Sequence, residues 1–130
     1  IRFNERVDLQ IDSPPEAFRE MPIPKLCMQP IAENAYKYAF ANKEEGGVFR
    51  VRYFAEGNNL RIEFDDNGDI LDSQIEELSE KLVNPEETSG LVNVSRRLLH
   101  YAGGRGELFV KRSDLGGLKV TIYLSSRRED

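Results

Sequence analysis

Apolar and polar residues alternate near the start of the chain, where Val7, Leu9 and Ile11 are interleaved with Arg6, Asp8 and Gln10. A period of two predicts a half-buried strand, and Ser13-Pro14-Pro15 ends it. From Pro24 to Ala41 the spacing lengthens to three and four, with Cys27, Ile31, Ala35, Tyr38 and Ala39 on one stripe, which predicts an amphipathic helix. Pro30 has no N–H to donate, so it either lies in the first helical turn or kinks the helix after a looser lead-in. Gly46-Gly47 breaks this pattern. Val48–Ala55 and Leu60–Asp65 then predict a hairpin around Glu56-Gly57-Asn58-Asn59, with Leu60, Ile62 and Phe64 on one face. A second helix carries Ile75, Leu78 and Leu82 on one side, with Asp72 and Ser73 as candidate caps and Asn84-Pro85 as its stop. A third, from Ser89 to about Ala102, spaces Leu91, Val94, Leu98 and Tyr101 helically and stops at Gly103-Gly104. Glu107–Lys111 and Leu118–Leu124 close the chain as two strands around Asp114-Leu115-Gly116-Gly117.

The resulting order, β-α-β-β-α-α-β-β, predicts an α/β (α+β) two-layer sandwich: a mostly antiparallel sheet with helices on one face, not a doubly wound parallel sheet. With 130 residues, 39% hydrophobic and 32% charged, the chain has material for one core, so residues 1–130 are read as a single domain. No stretch approaches the roughly 20 apolar residues of a membrane span, and no leader-like pattern opens the chain, which predicts a soluble unit. The net charge of −5 repels phosphate polymers and argues against nucleic acid as a partner. Cys27 is the one cysteine, with no partner for a disulfide or a zinc site, so a reducing compartment is expected. The chain begins at Ile1 directly in strand-like text, which suggests a domain cut from a longer protein.

Three polar clusters fall at element edges. Glu33, Asn34 and Lys37 are three and four residues apart on the first helix. An amide oxygen, a carboxylate and an ammonium in one sector suit a metal-nucleotide, but the same residues also make an ordinary exposed Glu-to-Lys pair. Asp65-Asp66-Asn67-Gly68-Asp69 ends a hydrophobic strand. There a carboxylate and a glycine can receive a flat base with an exocyclic amine, or merely form a turn. An EF-hand is excluded, because its alternating ligands and closing Glu are missing. Thr88-Ser89-Gly90 precedes a helix, as a phosphate cradle or as a cap. The stretch from Asp72 to Thr88 is acidic, read as a solvated helix face or a lid. His100, the lone histidine, has no second ligand or nucleophile and is read as a helix-end residue.

Taken together, these clusters resemble the nucleotide-binding boxes of the gyrase, heat-shock chaperone, histidine kinase and MutL superfamily, and most of all the catalytic ATP-binding domain of LytS/YesM-type sensor histidine kinases. Pro24–Ala39 reads P-K-L-C-M-Q-P-I-A-E-N-A-Y-K-Y-A, similar to that group's P-x-L-x-x-Q-P-[LI]-[VA]-E-N-A-x-K-H-G. Asp66-Asn67-Gly68-Asp69-Ile70 resembles its D-N-G-x-G box. Thr88–Leu98 resembles G-x-G-L-x-N-V-x-x-R-L, and residues 116–122 resemble its closing strand. The resemblance runs over essentially the whole chain and implies a Bergerat-type, histidine-kinase ATPase-like fold.

What the resemblance implies about function is specific. Asn34 would ligate Mg²⁺ bridging the phosphates of ATP, Glu33 would be the catalytic residue polarising the incoming phosphoacceptor, and Lys37 would touch phosphate. Asp66 would receive the adenine amino group, with Gly68 making room for the ring. Gly90 and the N–H groups beside it would face the phosphates, and Tyr38, Ile70, Thr88, Ser89 and Leu91 would line the nucleotide by position. Tyr38 stands where the group has histidine, while Ile70 and Thr88 each replace a glycine. An isoleucine is costly if that site requires left-handed backbone or a close approach. The implied activity is γ-phosphoryl transfer to a histidine in an upstream dimerisation segment and onward to a response regulator. The setting would be a homodimeric membrane sensor whose catalytic domain is cytoplasmic and whose membrane contact lies in other segments. The alternatives are a degenerate module of the same fold acting through protein contacts, and a serine kinase or ATP-hydrolysing relative.

Overall fold

The computed structural model describes residues 7–12, 30–35, 46–57, 59–84, 86, 90–99 and 104–126. Within them lie strand β1 (Val7–Ile11), helical residues 30–35 (α1), β2 (Gly47–Glu56), β3 (Asn59–Asp66), α2 (Asp72–Leu82), α3 (Gly90–Leu99), β4 (Gly104–Arg112) and β5 (Leu118–Ser126). The strands form one sheet in the order β1-β2-β3-β5-β4. β1 pairs with β2 in parallel, and the other three pairings are antiparallel. A parallel pair needs a long crossover, and the segment carrying α1 supplies it. The expected mixed, mostly antiparallel sheet is therefore observed, with the helices contributing to one core on one of its faces.

Alternation explains that core. Phe49 and Val51 of β2, Leu60, Ile62 and Phe64 of β3, Leu108 and Val110 of β4, and Leu118, Val120, Ile122 and Leu124 of β5 are buried on the inner face. Ile31, Ala32 and Ala35 of α1, Ile75 of α2, and Leu91 and Val94 of α3 close over them. Leu78 and Leu82 pack against the same cluster, as their spacing predicts. Pro30 is helical.

Several boundaries differ from the sequence pattern. The β2–β3 ladder runs to the Glu56↔Asn59 pair, so the turn is shorter than expected, and Gly57 at φ +66° supplies the left-handed step that a two-residue hairpin loop needs. Neither Asp72 nor Ser73 caps α2. Leu71 holds the extended N-cap position, its N–H donates to Gln74 Oε1 (2.8 Å), and Asp72 in the first turn instead pairs with Arg112 (2.5 Å). Gly104 belongs to β4, which starts three residues before the predicted Glu107. Ile11, expected on the buried face, is 51% exposed, because it ends an edge strand, whereas Leu9 packs on the core. The remainder of the predicted first helix, and residues 100–103 at the predicted end of the third, lie outside the described residues.

The outer face of the sheet is ionic. Glu63 and Asp65 point away from the helices yet are buried, because β2 and β5 lay cations across them. Glu63 Oε1 receives Arg52 (3.0 Å) and Lys119 (3.0 Å), and Arg61 binds its other oxygen. Arg61 also stacks 4.2 Å from the Phe54 ring centroid, so its guanidinium covers an aromatic face that would otherwise meet water. Burial pushes the Glu63 carboxyl up, but the Lys119 hydrogen bond and the charges of Lys119, Arg61 and Arg52 outweigh it and hold the group below its ordinary value of 4.5. A lowered folded-state value means that this stabilisation is complete above the ordinary glutamate range and is lost as pH falls through the folded value. Glu63→Gln is expected to cost about 2 kcal/mol at pH 7. Denaturant unfolding of both proteins should show that gap closing once the medium is more acidic than the lowered Glu63 value.

Candidate nucleotide site at the end of β3

β3 ends in two consecutive aspartates. Successive residues of a strand face opposite ways, so Asp65 joins the outer ionic face while Asp66 turns toward the helices. Asp66 is buried, and its Oδ1 accepts the backbone N–H of Gly68 (3.0 Å) and of Leu118 (3.1 Å). Its carbonyl accepts the N–H of Gly117 (3.1 Å). The carboxylate is thus a preoriented acceptor at a strand end.

The next residue, Asn67, is spent on the fold. Its Nδ2 donates to the carbonyl of Gly46 (2.8 Å) and its Oδ1 accepts the N–H of Val48 (2.9 Å), which ties the loop to the start of β2. Gly68 is buried behind it. Ile70 is half-buried and packs against the hydrophobic core. No described non-glycine residue has positive φ, so the strain expected for a β-branched residue at Ile70 is absent. The backbone there is ordinary and the side chain has apolar neighbours.

The other predicted site residues are distributed as follows. On α1, Glu33 is exposed and Asn34 half-buried, while Ile31, Ala32 and Ala35 anchor the helix on the core. Gly90 is the first residue of α3, and the Leu91 side chain is 2% exposed within the core, so Leu91 has only backbone groups to offer a ligand. Lys37, Tyr38, Thr88 and Ser89 lie outside the described residues, as do Cys27 and His100. Ile31, Ile70 and Leu91 share one hydrophobic cluster, so the elements bearing Asn34, Asp66 and Gly90 are fastened to a common core.

Gly117 is the site residue that the sequence pattern did not single out. A Cβ on it would lie 2.0 Å from Asp66 Oδ1, 2.6 Å from the Asp66 carbonyl oxygen and 2.7 Å from the Gly68 N. The β4–β5 turn therefore presses its bare backbone onto the Asp66–Gly68 segment. A double glycine before a strand was the available signal, but a turn explains it equally well. Gly117→Ala is expected to displace Asp66 and to lower stability by about 3 kcal/mol. Thermal melting, together with the amide NMR shifts of Gly68 and Leu118, measures both effects.

No protein-family model matches the chain. It is 28% identical over 132 residues to the LytS sensor protein of Enterococcus faecalis, covering 99% of this chain and 22% of that protein. To the LytS sensor protein of Streptococcus agalactiae serotype V it is 31% identical over 135 residues, covering 100% and 22%. The chain thus spans about a fifth of the length of these relatives. Among solved structures, the catalytic domain of histidine kinase ThkA superposes with a TM-score of 0.66 at 16% identity, over 94% of this chain and 80% of that one. The sequence likeness runs from end to end, and the superposition reproduces the mixed sheet with its one-sided helices. The chain is similar over its whole length to part of the LytS sensor proteins and has the fold of a histidine-kinase catalytic domain.

Proposed function

We propose that the chain binds ATP against the loop that follows β3 and, within a longer sensor protein, donates the γ-phosphoryl group to a histidine on an upstream dimerisation segment. From there the group would pass to a response regulator. The observation that carries this reading is the Asp66 carboxylate, fixed at the strand end by the N–H groups of Gly68 and Leu118 with the buried Gly68 beside it. A purine amine suits a hydrogen-bond acceptor of this kind, held still, next to a residue with no side chain. The LytS relatives and the ThkA fold supply the context in which such an acceptor serves a nucleotide.

The remaining roles follow from donor chemistry. Asn34 offers a hard amide oxygen, and among the described residues no group of three or more His, Cys, Asp or Glu gathers to cage a metal. That chemistry suits Mg²⁺ held by one protein oxygen with phosphate and water as its other ligands, where the bound ion would neutralise phosphate charge. Lys37 would add a further positive charge, and the N–H groups opening α3 at Gly90, with Thr88 and Ser89 before them, would face the phosphates. Glu33 would accept a hydrogen bond from the incoming imidazole. Transfer breaks the bond between the γ-phosphorus and the bridging oxygen of ADP and forms one to the imidazole nitrogen. Positioning and charge neutralisation supply most of the rate. Among the described residues no helix is long and apolar enough to cross a membrane, so membrane attachment would belong to other segments of the sensor.

The degenerate-module alternative drew on Ile70 and Thr88; the Ile70 backbone carries no left-handed strain and its side chain packs on the core, while Thr88 lies outside the described residues. Calorimetric titration of the 130-residue chain with Mg-ADP should give saturable binding, and Asp66→Asn should weaken it by tenfold or more, about the effect of removing one charged hydrogen bond. A wild-type chain that stays unliganded at millimolar nucleotide would overturn the proposal.

A further inference from the structure

The segment after β4 holds both aspartates at the end of β3, one on each face of the sheet. On the outer face Ser113 Oγ donates to Asp65 Oδ1 at 2.7 Å, with Ser113 3% exposed and Asp65 0%. On the inner face, five residues later, Leu118 N–H donates to Asp66 Oδ1, and Gly117 N–H donates to the Asp66 carbonyl. The stretch between is cross-linked by hydrogen bonds. Ser113 N–H donates to the Gly117 carbonyl (2.8 Å), Gly116 N–H to the Ser113 carbonyl (3.0 Å), and Leu115 N–H to Ser113 Oγ (3.0 Å). Arg112 Nη1 ties down the Gly116 carbonyl (2.8 Å). Ser113 therefore keys the turn to β3 on the outer face, as Gly117 and Leu118 do on the inner one. Its hydroxyl accepts from the turn and donates to the strand at once.

We infer that Ser113, acting through Asp65, is a positioning residue for Asp66: it sets the depth and angle at which the acceptor carboxylate meets a base. The inference rests on the nucleotide reading and deepens it by assigning base discrimination to a residue on the opposite face of the sheet. The physical chain is short. Asp65 and Asp66 share a peptide bond, so the direction of one Cα–Cβ bond fixes the other. Arg50 (3.3 Å), Arg52 (3.2 Å) and Lys119 (3.8 Å) also hold Asp65 from β2 and β5, and Arg50 reaches the turn as well, at the exposed Asp114 side chain (2.8 Å). Among the contacts on Asp65, the Ser113 bond is the shortest (2.7 Å), and Ser113 is the contacting residue whose own N–H is bonded to the Gly117 carbonyl, next to the groups gripping Asp66. Removing the hydroxyl leaves Asp65 Oδ1 and the Leu115 N–H each short of a partner, and lets the turn slide relative to β3.

The test compares ADP with IDP, which replaces the exocyclic amine by a carbonyl, in calorimetric titrations of the wild type, Ser113→Ala and Ser113→Thr. The wild type is expected to prefer ADP. Ser113→Ala should lose about tenfold in ADP affinity with little change for IDP, collapsing the preference, as loss of one charge-assisted hydrogen bond would. Ser113→Thr keeps the hydroxyl and should restore the preference. Should the alanine chain not fold, Ser113→Cys, close in shape and a weaker donor, reads the same ratio. A folded Ser113→Ala or Ser113→Cys with the wild-type ADP-to-IDP ratio overturns this inference alone. A wild type that binds neither nucleotide overturns the nucleotide reading and the inference with it.

Discussion

A carboxylate taken out of water loses several kcal/mol of hydration unless the protein replaces it, and β3 buries three in a row of four residues: Glu63, Asp65 and Asp66. Much of the architecture around them follows from that requirement. Asp65 and Glu63 need cations on the outer face, and the strands flanking β3 bring most of them, Arg50 and Arg52 from β2 and Lys119 from β5, beside Arg61 of β3 itself. Asp66 needs donors on the inner face, which come from the backbone where β5 begins. β5 must therefore lie beside β3, although β4 comes first in the chain, and this sends β4 to the edge. The helices α2 and α3 bridge that gap and pack against β4. One strand end thus draws partners from both neighbouring strands.

How much of this could be read from the residues alone varies by element. The inner faces were legible, because Leu60, Ile62 and Phe64, and Leu118 through Leu124, alternate over enough residues for burial to dominate every other preference. The polar residues between them were not, because period two predicts only that Glu63 and Asp65 face away from the core. Their burial depends on Arg50, Arg52 and Lys119 arriving from strands up to 56 residues away in sequence, a matter of register that no local pattern contains. The same holds for Gly117, which reads as a turn glycine until β5 is placed against Asp66. The Asp72 cap failed for a related reason: Arg112 on the distant β4 claims its carboxylate. Asp66 and Gly68, by contrast, stood out at the strand end. Asn34 and Gly90 stood out by resemblance, and their elements share the core on which a site would be assembled.

Ile70 illustrates how a local rule misleads when the backbone it presupposes is not there. A β-branched residue is penalised in left-handed backbone, and reading Ile70 as a replaced glycine imported that penalty. The loop takes another course. Asn67 clamps it to Gly46 and Val48, and positive φ is confined to Gly46, Gly57 and Gly116 among the described residues. Ile70 is left free to pack under the loop as an apolar anchor, a contribution that glycine could not make.

The choice of ions for the outer face has its own logic. In a two-layer protein the sheet surface away from the helices meets solvent, and an apolar face of that size invites association. A purely polar face would leave the central strand without packing. Arginine meets both demands: the guanidinium groups of Arg52 and Arg61 lie 5.6 Å and 4.2 Å from the Phe54 ring centroid, and both side chains remain partly wet. Phe109, half exposed and in edge contact with Tyr123, is what remains of apolar surface toward β4. The same ions that keep this face soluble also hold Asp65, and Asp65 is one peptide bond from the acceptor carboxylate. Stability on one side of the sheet and geometry on the other are therefore set by a single network, so selection acting on either would constrain the same four or five side chains.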